Sequence, residues 1–150
     1  MSRILSLPLI VALAGFAPAD DAKKDVKKEL QSLQGTWKVT ALTYNGEDSL
    51  KQAPNLEFVI KDDIITVQGD DAVQKEYAKL QLVLDPAAKP KLVDFKVVGG
   101  TQKDASLEGI YELKDDELTF CVKVLGKERP TKFESPAGQS VALVVVKKQK

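Results

Sequence analysis

The chain has no histidine among its 150 residues. That absence removes the commonest general base, Ser-His and Cys-His nucleophile pairs, and histidine-ligated zinc. A single cysteine, Cys121, excludes an internal disulfide and a cysteine-rich metal site. Net charge is missing too: 22 basic residues balance 22 acidic ones. The two signs are interspersed, so neither nucleic acid nor an anionic membrane surface is an expected partner. Gly126-Lys127 lacks the upstream glycine and the following Ser or Thr of a phosphate-binding loop. A Gly-x-Ser-x-Gly elbow is absent, and no Ser-x-x-Lys pair opens a helix. No linker divides the chain, and no unit recurs at a fixed period. The expectation is one domain, without enzymatic activity, cofactor or metal.

What is present begins with an export signal. Arg3 precedes an uncharged apolar run over residues 4–16, with Pro8 inside it, and Ala17-Pro18-Ala19 supplies the small residues of a cleavage site. The run is shorter than the ~20 apolar residues that span a bilayer. Cleavage is expected after Ala19, leaving residues 20–150 as a secreted or periplasmic domain with no stable membrane anchor. The alternative is an uncleaved N-terminal anchor. Removing residues 1–19 takes away Arg3 and leaves 21 basic residues against 22 acidic ones. A chain of roughly 130 residues removes about two thirds of its unfolded surface from water, enough for a core without disulfides.

Two periodicities follow. Val26, Leu30 and Leu33 are spaced by four and three, which predicts a short N-terminal helix covering one end of the fold. From Gly35 onward the period is two. Trp37, Val39 and Ala41 alternate with Lys38 and Thr40, and Asn45-Gly46 marks a turn. Further alternating runs cover Leu56 to Ile60, Ile64 to Val67, Tyr77 to Leu84, Val93 to Val97, Leu107 to Leu113, Leu118 to Val124 and Val141 to Val146. The run ending at Leu84 also reads as a helix from Lys75, but Leu80, Leu82 and Leu84 around Gln81 favour a strand. About eight antiparallel strands joined mostly by short turns predict an all-β, up-and-down barrel, because closure removes exposed edges. A longer loop over residues 126–139 precedes the last strand.

Asp62-Asp63, Asp70-Asp71 and Asp115-Asp116 are the remaining candidates for chemistry. Neighbouring strand residues point to opposite faces, and each pair sits where a turn is wanted, so turn chemistry is the reading preferred over hydrolysis or calcium. Cys121 is out of phase with Leu118, Phe120 and Val122, which predicts a small wall residue of the barrel facing outward beneath a loop, with a reactive thiol as the alternative. Trp37, Phe58, Phe95, Tyr111 and Phe120 fall on the apolar faces of different strands and converge inside the barrel. They either line a pocket for a small apolar ligand or fill the interior as core; an eight-strand barrel suits both. Ala41 and Gly109 are the small inward positions that would leave room. A filled barrel would instead serve as a structural domain or meet an unknown protein partner.

Gly35-Thr36-Trp37 after a helical segment resembles the Gly-x-Trp signature of lipocalins and their relatives. Residues 33–39, 109–113, 118–121 and the Glu128-Arg129-Pro130-Thr131-Lys132-Phe133 block together resemble a family of uncharacterised lipocalin-like domains in secreted planctomycete proteins. That resemblance implies a lipocalin-like barrel and no particular activity. It further implies that Trp37 closes one end and that a late arginine, here Arg129, packs over its indole.

Overall fold

The computed structural model describes residues 19–149, and the alternating segments become its strands. Of the predicted export signal, residues 1–19, all but Ala19 lie outside the described residues, and Ala19 opens the first helix. Helix α1 (Ala19–Leu33) leads into β1 (Gly35–Tyr44), β2 (Glu47–Asp48) and a 3-10 turn (Leu50–Gln52). Then come β3 (Glu57–Lys61), β4 (Ile64–Gln68), helix α2 (Asp71–Glu76), β5 (Lys79–Asp85) and β6 (Lys91–Gly99). The chain ends with β7 (Ser106–Lys114), β8 (Glu117–Lys123) and β9 (Val141–Lys148).

Every pairing is antiparallel, and from β3 to β9 each strand pairs with the next. Strand β9 then returns to β1, from Trp37 opposite Lys148 to Tyr44 opposite Ala142. Strand β1 also pairs with β3 through Gly35–Lys38, so β1 and β3–β9 close into an eight-strand up-and-down barrel. The two-residue β2 is an additional strand beside the end of β1.

Turn chemistry explains the hairpins. Asn45-Gly46, Asp62-Asp63 and Asp115-Asp116 are each flanked by a directly paired couple: Tyr44 and Glu47, Lys61 and Ile64, Lys114 and Glu117. The first residue of each turn has positive φ, at 54°, 58° and 56°, as primed hairpin turns require. Asp70 caps α2, its carboxylate accepting the Val73 N–H at 2.9 Å. All three aspartate pairs therefore shape the backbone.

Two expectations are corrected. A bulge between Val39 and Ala41 inverts the phase of β1, so Ala41 is exposed and Leu42, opposite Val144, turns toward the core. Residues 71–76 form α2, so the strand expected from Tyr77 begins at Lys79.

The apolar faces of all eight strands meet in one core that runs from Trp37 and Ile60 through Leu82 and Phe95 to Val144. At the base, α1 packs Leu30 and Leu33 against it. The side chain of Gln34 fastens this junction: its Nε2 donates to the Leu30 and Asp62 carbonyls, and its Oε1 accepts from Asp62 N at 2.7 Å. At the other end Leu50, Ala53, Val73, Tyr77 and Ala105, from the connecting segments, pack against the same core.

Candidate binding surface

The five aromatic residues expected inside are there. Trp37, Phe95, Tyr111 and Phe120 are buried, and Phe58 is half-buried against the core. Phe95 and Phe120 meet edge to face with centroids 5.3 Å apart, a favoured arrangement of ring quadrupoles. Neither small residue leaves room beside them. Ala41 is outside, and a β carbon on Gly109 would lie 2.5 Å from the Cys121 carbonyl oxygen. Gly109 thus permits close approach of β7 to β8 rather than a void.

Both buried polar handles point at α1. The Trp37 indole Nε1 donates to the Leu33 carbonyl at 2.9 Å, satisfying one of the acceptors that a helix C-terminus leaves open. The Tyr111 hydroxyl donates to Glu29 Oε2 at 2.7 Å, and Lys91 Nζ bonds the same oxygen at 2.7 Å. Burial first, and then the Glu29 hydrogen bond, push the Tyr111 pKa well above the ordinary tyrosine value. Trp37 is buried beside the end of α1, and the cation over its indole is Lys148 rather than the expected Arg129, with Nζ 5.6 Å from the ring centroid. Lys148 is the residue opposite Trp37 across β1 and β9, whereas Arg129 lies against β6 and β7.

A second apolar layer lies outside the barrel. Leu92, Ile110, Cys121 and Leu143 stand directly opposite one another across β6, β7, β8 and β9, forming one transverse row. Outward-facing apolar residues need a cover, and residues 124–140 supply it as a strap that packs Phe133 onto the row. The Cys121 Sγ lies 3.3 Å from both the Lys132 and Glu134 carbonyl oxygens, so its single proton serves one of them at a time. Burial pushes the thiol pKa up.

Arg129 anchors the strap. Its Nη1 donates to the Val93 and Gly109 carbonyls at 3.1 and 2.8 Å, and its Nη2 lies 2.8 Å from Asp94 and 4.0 Å from Glu108. Asp94 and Glu108 are directly opposite across β6 and β7, a like-charge pair whose repulsion the guanidinium offsets.

Clefts flank the strap on both sides. One, of about 310 Å³ and mainly apolar, lies between the Pro86–Lys91 turn, the Tyr111–Leu113 segment and Phe133. The other, of about 430 Å³ and more polar, is lined by Lys123, the strap residues 128–132 and Glu134. None of the aspartate pairs lines either cleft, and among the described residues no group of three or more acidic or cysteine side chains is placed to hold a metal ion. Phe58, Phe95 and Phe120 likewise line neither cleft. The apolar doublets Leu92-Val93, Ile110-Tyr111 and Cys121-Val122 are the sequence signal of the outer layer, since adjacent apolar residues on a strand bury both faces.

Comparison of the chain with family models, curated proteins and solved structures gives no match.

Proposed function

We propose that this chain is an exported, lipocalin-like binding module that meets its partner on the outside of the barrel, at the strap and its two clefts. The observation that carries this reading is the aromatic packing of the barrel interior. Trp37, Phe95, Tyr111 and Phe120 occupy it, and packed segments cover both ends. A small apolar ligand inside the barrel, the other reading of the same aromatics, would have to part the Phe95–Phe120 contact. The first cleft offers an apolar surface without that rearrangement. Export rests on Arg3, the apolar run over residues 4–16 and Ala17-Pro18-Ala19. Cleavage after Ala19 would leave α1 almost whole, because the helix begins at that residue.

Solvent extraction and mass spectrometry of the purified protein should release no lipid. A hydrophobic fluorescent probe that binds should lose affinity on Phe133→Ala and keep it on Phe58→Ala. Co-purified lipid, or probe binding lost on Phe58→Ala alone, would place the ligand inside the barrel instead. N-terminal sequencing of the exported protein should begin at Asp20.

A further inference from the structure

We infer that the strap over residues 124–140 opens as a unit while the barrel stays folded, uncovering the outer apolar row and the Cys121 thiol. Barrel and strap are held by different kinds of bond. The strands flanking the strap belong to a continuous ladder: β8 pairs with β9 over seven residues, and β9 with β1 over seven. Among the described residues, no backbone–backbone hydrogen bond ties residues 127–137 to a strand. Their own backbone bonds are internal, such as Glu134 N to the Lys132 carbonyl at 2.9 Å.

What holds the strap is therefore side chains. Arg129 reaches the Val93 and Gly109 carbonyls and Asp94, Phe133 covers the row, and the Ser135 hydroxyl donates to the Val141 carbonyl at 2.6 Å. The ion pair is partly exposed and open to competition from water and salt. Near the strap's two ends stand Gly126 and Gly138, at φ of 104° and 78°, in backbone regions that side-chain-bearing residues rarely adopt. A β carbon on Gly138 would meet nothing within 4 Å, so backbone conformation rather than space is what this position uses. Two such positions flanking a segment without ladder bonds make a pair of hinges. Segments of this kind open locally at free energies below that of global unfolding.

Opening changes the whole outer surface. The first cleft loses its Phe133 wall, the second loses Arg129, Lys132 and Glu134, and Leu92, Ile110, Cys121 and Leu143 come to solvent. This motion follows from the fold, whatever occupies the clefts.

Cys121 is the only thiol in the chain, so alkylation by iodoacetamide reports the opening directly. At low urea the labelling rate should be nearly flat, because little surface is exposed, and should join the global unfolding line only near the midpoint. Arg129→Gln should raise labelling in the absence of urea by about tenfold or more, the loss of hydrogen bonds to a charged group, and should lower the unfolding midpoint by no more than that same factor requires. Leu118→Ala, in the barrel core, should lower the midpoint and leave native-state labelling unchanged. A rate that follows global unfolding from zero urea upward would overturn the inference. So would an Arg129→Gln rate equal to that of the parent protein.

Discussion

The interior of the barrel and the layer beneath the strap are both apolar, yet they are closed by different means. Inside, residues from eight strands face one another, and the backbone ladder that brings them together is continuous around the ring. Outside, one row drawn from four strands is covered by a segment held through side chains. The interior includes two aromatics with polar ends, and both ends are satisfied by α1, through the Leu33 carbonyl and the Glu29 carboxylate. The outer layer includes a thiol that shares one proton between two strap carbonyls. Burial of similar chemistry thus yields a cooperative core in one place and a detachable cover in the other. The difference lies in which backbone groups are paired.

That contrast breaks if the interior tolerates what the outer layer should tolerate. Trp37→Ala removes a fully buried indole and its hydrogen bond, and should destabilise by about 3–5 kcal/mol. Urea unfolding measures this, and an unchanged midpoint would mean that the base of the barrel is not closed by the indole.

An alkaline titration sharpens the same contrast. Tyr111 is held neutral by burial and by Glu29, so its folded pKa lies above the ~10 of the unfolded chain. Its stabilisation is complete below about pH 10 and is lost as the pH rises further, at up to about 1.4 kcal/mol per pH unit. Tyr77, also raised by burial and by neighbouring Glu76, adds to that slope. Urea unfolding between about pH 9 and pH 11 should show the decline, and Tyr111→Phe should make it shallower. The smallest effect is expected at the cover: Phe133→Ala trims a half-buried ring and should cost about 1–2 kcal/mol. A loss as large as that of Trp37→Ala would show that barrel and strap unfold together.

Alternation alone makes most of the strands legible in the sequence. Where Phe58, Phe95, Tyr111 and Phe120 recur on period two, the inward face follows directly, and the aspartate pairs fall at the turns and the cap that their side chains favour. The out-of-phase position of Cys121 also points outward to a covering loop, and the thiol lies under the strap. Period two misplaces Ala41, because a bulge inserts one residue without any local signal and a single insertion reverses every later side chain. The short helix α2 escapes the pattern because Asp70, its N-cap, resembles a turn residue.

The cation over Trp37 illustrates a different gap. Both Arg129 and Lys148 lie late in the chain, and pattern alone cannot distinguish them. Register does: Lys148 sits opposite Trp37, while Arg129 is drawn to Asp94 and Glu108, two carboxylates adjacent only because β6 and β7 pair. The amino-acid order is sufficient for strand count, turn sites and the inward face, because these depend on neighbours two to four residues apart. The occupancy of the interior, the strap's anchors and the flanking clefts arise between residues tens of positions apart, and only the closed register brings those together.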